Sequence, residues 1–145
     1  MNRFIKRRIQ LTKSNAPHEP IPEDIEKVAA ETVDAAYKVH TTLGPGLLEN
    51  VYEICLVHEL ARRRIRTQRQ IDVPVVYDSV RLESGLRLDL VVDGRVIVEI
   101  KAVEEVLPVH LAQLVTYLKI TGYRVGLLIN FNEVLIKDGM YRRVN

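Results

Sequence analysis

The stretch GLRLDLVVDGRVIVEIKAV (residues 85–103) decides the fold, because it predicts a β-hairpin that carries acidic residues on one face. Side chains alternate along a strand, so each of the two strands is expected to have one fully apolar face. The two apolar rows are Leu86, Leu88, Leu90 and Val92 on the first strand and Val96, Val98 and Ile100 on the second. The charged residues are then expected on the opposite face of each strand: Asp89 on the first, and Glu99 and Lys101 on the second.

The length of the hairpin loop determines whether the two acids meet. A two-residue Asp-Gly turn would pair Asp89 with Val98 and send the carboxylates to opposite faces of the hairpin. A three-residue loop, either residues 92–94 or residues 93–95, aligns the apolar rows and sets Asp89 opposite or diagonal to Glu99. We therefore expect a three-residue loop and two carboxylates that face each other.

Facing carboxylates predict a cation. Two carboxylates about 5 Å apart across a sheet repel each other, and a divalent metal between them removes the repulsion. Oxygen ligands with room for water suit Mg²⁺ or Mn²⁺, which can polarise a phosphate and activate a water molecule. Lys101 is expected on the same face as Glu99, where it could hold that water. The alternative is an ordinary solvated hairpin face, since short motifs of this kind often occur by chance.

The rest of the chain predicts an α/β domain. Helical spacing and end signals predict helices over residues 23–44, 47–64 and 108–122, and a spacing of two predicts strands around them. The expected order is helix, helix, three strands, helix, strand, strand. The stretches QIDVPVVYD and YRVGLLINF belong to strands, and EVLIKDGMYRRV (residues 133–144) is expected to form the last one.

Composition limits the class of protein. A chain of 145 residues with 47% hydrophobic residues predicts one compact domain with a substantial core. Its single cysteine, Cys55, cannot form an internal disulfide, which favours a reducing compartment. We expect a cytoplasmic protein without a membrane span, because no apolar run is long enough for one.

The charge is unevenly distributed. Five of the 21 Lys and Arg residues, and none of the 19 Asp and Glu residues, lie in residues 1–18, so this segment carries +5 and the remainder carries −3. With three prolines at its end, the segment predicts a flexible basic arm over residues 1–21, followed by a domain over residues 22–145. The arm is either an ordinary solvated terminus or a contact for phosphates.

Several motifs together resemble a known superfamily. Asp89 with Glu99-Ile100-Lys101 is similar to the signature of the PD-(D/E)XK nucleases, with Leu88 in place of the signature proline. Gly46, Glu49 and Tyr52 match the pattern that names the GxxExxY family of that superfamily. Gln113 and Tyr117 resemble its QxxxY element. The resemblance extends over roughly residues 22–145 and implies a three-layer, restriction-endonuclease-like core in which helices flank a mixed central sheet.

The resemblance also implies a metal-dependent nuclease, with Mg²⁺ or Mn²⁺ as cofactor, and assigns its site residues. The implied metal ligands are Glu49, Asp89, Glu99 and the carbonyl of Ile100; the implied catalytic residues are Asp89, Glu99, Lys101, Gln113 and Tyr117. The two residues of the QxxxY element are four apart, so they share one helix face, together with His110. An acid at position 49 would also stabilise a helix start, and the face of Gln113 could be an ordinary helix surface.

A dense basic cluster within the domain predicts a nucleic-acid contact. Its residues are Arg62, Arg63, Arg64 and Arg66. A solvated helix end explains the same run, because cations stabilise a helix C-terminus. The expected substrate is nucleic acid, with DNA favoured over RNA. Two alternatives remain at this point: a non-catalytic nucleic-acid-binding or protein-interaction module on a nuclease scaffold, and self-association into a homodimer.

Overall fold

The structure, a computed structural model, describes residues 19–145. Most of the predicted basic arm, residues 1–18, therefore lies outside the described residues. Pro22 directly precedes the first helix.

Residues 19–145 contain three α-helices and five strands, in the order predicted from the sequence. The elements are α1 (Glu23–Leu43), α2 (Glu49–Arg62), β1 (Thr67–Tyr77), β2 (Val80–Val92), β3 (Val96–Lys101), α3 (Pro108–Thr121), β4 (Val125–Asn130) and β5 (Met140–Val144). A short 3₁₀ helix (Ile136–Gly139) precedes β5.

The helix ends follow from local chemistry. Three acids occupy the first turn of α1, where they stabilise the partial positive charge of the helix N-terminus. Gly122 ends α3 in the left-handed conformation, with φ of 81°, and its N–H donates to the carbonyl of Leu118 at 2.9 Å. Within residues 19–145, no helix is both long enough and apolar enough to cross a membrane.

The sheet is mixed, with the strands in sequence order β1-β2-β3-β4-β5. The first three strands form an antiparallel meander, β3 and β4 are parallel, and β5 is antiparallel to β4. The parallel pair requires a crossover connection, and α3 provides it. The central strands β3 and β4 are almost completely buried, because helices cover both of their faces.

Two apolar layers separate the sheet from its helices. On one side, which we call the α1–α2 side, Tyr52, Leu56 and Leu60 of α2 pack with residues of β2, β3 and β4. On the α3 side, Leu114 and Leu118 pack with Ile97 and other apolar residues of the sheet. The predicted three-layer arrangement with a mixed central sheet is therefore confirmed.

The predicted apolar row on β2 is wrong at one point. Leu90 packs on the α1–α2 side as the alternation requires, but Leu88 and Leu86 pack on the α3 side together with Val91. Alternation along β2 is therefore broken next to Asp89. On β1, Gln70 has a φ of 50°, which is unusual for a residue with a side chain.

The break in β2 and the irregularity in β1 occur at the same place in the hairpin. The pairs Arg69–Leu90 and Ile71–Leu88 enclose Gln70 on one strand and Asp89 on the other. We call this paired irregularity the strand reversal. It moves residues on both strands to the α3 side, and a sequence pattern based on strict alternation does not reveal it.

The last strand is shorter than predicted. Only Met140–Val144 forms a strand, because the chain after β4 makes a turn and the 3₁₀ helix first. Gly139 lies against the end of β4: a side chain there would place its Cβ 2.3 Å from the carbonyl oxygen of Asn130. This close approach favours a glycine and a tight turn, where the sequence pattern had predicted a continuous strand.

The outer half of the β1–β2 hairpin extends beyond the helices. The pairing is irregular between Val73 and Val75, and beyond this point residues 75–82 form what we call the hairpin arm. The pairs Val75–Leu82 and Tyr77–Val80 put four apolar side chains on one face. Tyr77 is 80% exposed, and none of these side chains is buried.

Gly126 sets how closely α3 approaches the sheet. A Cβ at this position of β4 would lie 2.7 Å from Cδ1 of Leu114 and 3.3 Å from Cδ2 of Leu118. We expect Gly126→Ala to lower the free energy of unfolding by about 1–3 kcal/mol through overpacking. Urea denaturation followed by circular dichroism measures this.

A double variant tests the cause. Leu114→Ala alone should cost about 2–5 kcal/mol, and the double variant should cost less than the sum of the single effects, because the smaller side chain makes room for the new methyl group. Additive costs would contradict the contact between Gly126 and Leu114.

Candidate active site

The β2–β3 loop has the three-residue form that brings the two acids together. It consists of residues 93–95, one of the two loops considered from the sequence, and the flanking pairs are Val92–Val96 and Leu90–Val98. Asp93 and Gly94 have φ angles of 51° and 63°. Asp89 and Glu99 are the next residues beyond the pair Leu90–Val98, so the two acids occupy neighbouring positions on the two strands.

The two acids bind each other's strands. The N–H of Ile100 donates to Oδ2 of Asp89 at 2.9 Å, and the N–H of Asp89 donates to Oε1 of Glu99 at 3.4 Å. Backbone N–H groups of a sheet normally donate to carbonyl groups of the neighbouring strand. The recorded β2–β3 pairs end at Leu90–Val98, and beyond them carboxylate oxygens serve as the acceptors. Each carboxylate is thus fixed by the backbone of the opposite strand.

This arrangement strongly disfavours a charge on Glu99. The residue is 5% exposed, and burial is the main cause that raises the pKa of its carboxyl to about 9. The negative charge of Asp89 raises this pKa further, whereas the charge of Lys101 lowers it. Near neutral pH and without a cation, Glu99 therefore holds a proton.

Tyr117 of α3 faces the same acids. Burial raises the pKa of its phenol, and the charges of Glu99 and Asp89 raise it further. The phenol therefore lies close enough to both carboxylates for their charges to act on it. Gln113, one helical turn earlier, is exposed. The ring Nδ1 of His110 accepts from the N–H of Leu107 at 2.9 Å, so His110 caps the start of α3.

Glu49 reaches the end of β3 from another direction. It lies in the first turn of α2, and its Oε1 accepts from the N–H of Ala102 at 3.3 Å. Asp89 binds the N–H of Ile100, two residues earlier along the same chain segment. Within residues 19–145, no three His, Cys, Asp or Glu side chains are grouped closely enough to hold a metal ion. Glu49 thus approaches the acid pair without forming a three-carboxylate cluster.

Tyr52 fixes the turn from which Glu49 projects. Its hydroxyl donates to the carbonyl of Gly44 at 2.6 Å and accepts from the N–H of Leu47 at 3.1 Å. Its ring is fully buried and stacks on Phe131, with ring centroids 4.6 Å apart. Gly46 has a φ of 100°, a conformation that side chains disfavour. The G-x-x-E-x-x-Y pattern therefore has a structural basis. Its glycine forms the turn, its acid lies at the helix start, and its tyrosine hydrogen-bonds the backbone of the turn.

The sequence interpretation missed Asn130, which holds the chain after Lys101. The Asn130 side chain accepts from the N–H of Val103 at 3.1 Å and donates to its carbonyl at 2.9 Å. Lys101 itself is half-buried and pairs with Asn130 across β3 and β4. An amide at the end of the apolar run GLLIN was the available signal. Asn130 thereby fixes the direction in which the chain leaves the site.

The predicted arginine cluster lies at the other end of α2. Arg63 donates to Asp34 at 2.6 Å, to Glu31 at 3.2 Å and to Glu59 at 3.4 Å, so its guanidinium joins α1 to α2. Arg62 is in the last turn of α2, about 20 Å from Glu49 by the rise of a 14-residue helix. Arg62 therefore does not adjoin the acid pair, and Arg63 already has three acidic partners. Arg66 lies beyond the helix, where its carbonyl accepts from the N–H of Asp93 at 2.8 Å.

The donor atoms suit the metal ions predicted from the sequence. Asp89 and Glu99 offer carboxylate oxygens side by side, and Mg²⁺ is typically held by one or two carboxylates together with water and substrate oxygens. A cation here would also offset the repulsion that makes a charge on Glu99 unfavourable. The residues at this site therefore fit a hard divalent cation.

A five-stranded mixed sheet with helices on both faces, and an acid pair formed between the neighbouring strands β2 and β3, define a restriction-endonuclease-like α/β protein. The sequence model of the PD-(D/E)XK nuclease superfamily matches residues 26–144, and the chain belongs to this superfamily. No curated protein and no solved structure matches the chain. Membership supports a nuclease-type function in general.

The raised pKa of Glu99 predicts how stability depends on pH. The folded protein keeps this proton up to about pH 9, whereas an unfolded glutamic acid loses it near its ordinary value of 4.5. The stabilising contribution is therefore complete below about pH 4.5 and is lost as pH rises toward 9, by at most about 1.4 kcal/mol per pH unit. Glu99→Gln cannot ionise, so in EDTA it should lose less stability over this range than the wild-type protein.

Urea midpoints across the pH range measure the difference, with exposed Glu105→Gln as the control variant. Parallel curves for the wild-type protein and Glu99→Gln would contradict the proton on Glu99.

Proposed function

We propose that the protein is a metal-dependent nuclease of the GxxExxY family, which hydrolyses phosphodiester bonds of nucleic acid with Mg²⁺ or Mn²⁺. The observation that carries the proposal is the forced proximity of Asp89 and Glu99. Their hydrogen bonds to opposite strands hold the acids together although burial and repulsion oppose a second charge. An arrangement that costs stability in this way is typical of a functional site.

In this proposal, four groups hold the cation. Asp89, Glu99 and the carbonyl of Ile100 are direct ligands, and Glu49 acts through a water molecule from its position on the Ala102 N–H. The bound cation would polarise the phosphate and activate a water molecule. The protein itself would fix the positions of the ligands. Glu99 would release its proton when the cation binds.

The remaining proposed site residues act on the reacting groups. Lys101 follows Glu99 on the same face of β3 and would orient the attacking water and offset charge on the phosphate. Tyr117 and Gln113 would hydrogen-bond the phosphate. The charges of both acids act on the phenol of Tyr117, and Gln113 lies exposed one helical turn away. Their common face on α3 supports this role.

The proposed substrate is DNA in preference to RNA, and the proposed compartment is the cytoplasm. Arg62, Arg64 and Arg66 are exposed and remain the proposed phosphate contacts within the domain. Because Arg62 lies about 20 Å from Glu49, its contact would involve a phosphate remote from the cleaved bond. Arg63 is the least suitable of the cluster, because it is engaged by three acids.

Nuclease assays on single-stranded DNA, duplex DNA and RNA test the proposal directly. With Mn²⁺ or Mg²⁺ present, the wild-type protein should cleave at least one of these substrates, and EDTA should abolish cleavage. Lys101→Ala should lower kcat by about 100-fold or more, because it removes a group that stabilises transition-state charge. Lys119→Ala, which removes an exposed lysine from the far end of α3, is the matched control and should retain activity.

Activity that survives Lys101→Ala would overturn the catalytic assignment. If calorimetry detects no binding of Mg²⁺ or Mn²⁺ while gel shifts show salt-sensitive DNA binding, the protein is a non-catalytic binding module instead. The expected calorimetric result is binding that strengthens as pH rises, because Glu99 must release its proton to bind a cation.

A homodimer completes the proposal. The hairpin arm supports it, because an exposed amphipathic hairpin is marginal by itself and gains stability when its apolar face is covered. Light scattering after size exclusion should give the mass of a dimer, and the double change Tyr77→Ser and Leu82→Ser should shift it to a monomer. Val76→Ser alters a residue on the opposite face of the arm that is about as exposed as Leu82, and serves as control. A monomeric wild-type protein would exclude the dimer.

A further inference from the structure

Glu53 of α2 is a buried acid that lies outside the proposed set of metal ligands and catalytic residues. It is 4% exposed. Its Oε2 accepts from Nε and Nη2 of Arg69 at 3.0 and 2.6 Å, and its Oε1 accepts from Nε2 of Gln70 at 2.7 Å. Both oxygens of this carboxylate are thus bound by neighbouring residues of β1, and we call the three residues the Glu53 clamp.

The clamp requires an unusual backbone. Neighbouring residues of a regular strand project to opposite faces, so Arg69 and Gln70 would not normally reach one carboxylate. They do so here because Gln70 has a φ of 50°. A left-handed conformation at a residue with a side chain is strained and persists only where its surroundings enforce it. The two hydrogen-bonded partners of Glu53 supply that enforcement.

The enforced conformation lies directly across from the acid pair. Gln70 and Asp89 are the two residues enclosed by the pairs Arg69–Leu90 and Ile71–Leu88, and the strand reversal occurs at both of them. On β2, the reversal places Leu88 and Val91 on one side of the sheet around Asp89. The irregular backbone at Gln70 on β1 therefore accompanies the irregular backbone at Asp89 on β2. It is from this backbone that the Asp89 carboxylate reaches the N–H of Ile100.

The clamp also connects the two parts of the proposed metal site. Glu53 lies one helical turn after Glu49 on α2, so the two side chains share a face of that helix. Through Arg69 and Gln70, the helix that carries Glu49 is attached to the strand that lies beside Asp89. A displacement of the clamp would move both acids relative to β3.

We propose that Glu53 is a positioning residue of the active site. By holding Arg69 and Gln70 it fixes the strand reversal, and it thereby keeps the carboxylates of Asp89 and Glu49 on the N–H groups of Ile100 and Ala102. The consequence for catalysis rests on the proposed nuclease function, whereas the geometric effect does not. The amide protons of Ile100 and Ala102 report the geometry without any metal or substrate.

Glu59 provides a matched control for a purely structural effect. It is 8% exposed, lies on the same helix and forms ion pairs with Arg63, Arg62 and Lys38. Its partners are on α1 and at the C-terminal end of α2, away from the acid pair. Glu53→Gln and Glu59→Gln each remove one buried charge from α2, and the clamp is altered only by the first.

Amide hydrogen exchange measured by NMR in EDTA is the deciding experiment. Relative to the core amide of Leu128, Glu53→Gln should speed exchange at Ile100 and Ala102 by about tenfold, which corresponds to the loss of one hydrogen bond. Glu59→Gln should leave both ratios within about twofold of those in the wild-type protein, whatever it does to global stability.

Two changes at Gln70 keep the test decisive if Glu53→Gln does not fold. Gln70→Gly can adopt the left-handed conformation without strain and should preserve slow exchange at Ile100. Gln70→Val opposes that conformation and should speed this exchange by about tenfold relative to Leu128, because β-branched residues strongly disfavour a positive φ.

Activity then separates the two levels of the proposal. If the wild-type protein is a nuclease, Glu53→Gln should lower kcat more than it changes KM, and Glu59→Gln should leave kcat unchanged. If the wild-type protein has no nuclease activity, the proposed function fails, and the exchange ratios still decide whether Glu53 positions the acids. Exchange at Ile100 that stays at the wild-type ratio in Glu53→Gln, or in Gln70→Val if Glu53→Gln does not fold, would overturn the positioning role.

Discussion

The structure depends on one constraint: two carboxylates occupy acceptor positions that backbone carbonyl groups usually fill between neighbouring strands. Asp89 accepts from the backbone of β3, and Glu99 accepts from the backbone of β2. The three-residue loop sets the register in which the carboxylates can replace backbone carbonyl groups as acceptors. The positive φ at Gln70 is the corresponding irregularity on the neighbouring strand β1. Loop length, backbone conformation and hydrogen bonding therefore all converge on the same two side chains.

This constraint is unfavourable for stability, and the surrounding fold offsets it. Burial of Glu99 beside a second acid disfavours its ionised form, as its raised pKa shows. Two apolar layers, one on each face of the sheet, provide the compensating burial. Natural proteins commonly tolerate such local costs where a site requires them, and they fold because the rest of the chain is locally consistent. The strain is concentrated at Asp89, Glu99 and Gln70, while the central strands and the helices follow ordinary patterns.

Sequence patterns predicted the parts of this protein that follow local rules. The requirement that the apolar rows align predicted a three-residue hairpin loop, although two such loops remained open, and glycine and proline signals predicted the helix ends. The strand reversal was not predictable, because glutamine is not a turn residue and nothing near Gln70 indicates a positive φ. The roles of Glu53 and Arg63 were missed because their partners are remote in sequence, whereas a pattern along a helix shows only which face is polar. The pair of acids could be predicted, but not the Glu53 clamp on the neighbouring strand.

The distance between the acid pair and the exposed arginine at the end of α2 limits the kind of substrate that could contact both. The acid pair lies near the end of β3 and the start of α2, and the exposed Arg62 lies at the other end of α2, about 20 Å from Glu49. A mononucleotide is too short to bridge that distance. A polynucleotide with 3.4 Å between successive phosphates along the duplex axis would bridge it in about six nucleotides. If the acid pair and Arg62 contact one substrate, it must therefore be a polymer, and Arg62 would bind a phosphate remote from the acid pair.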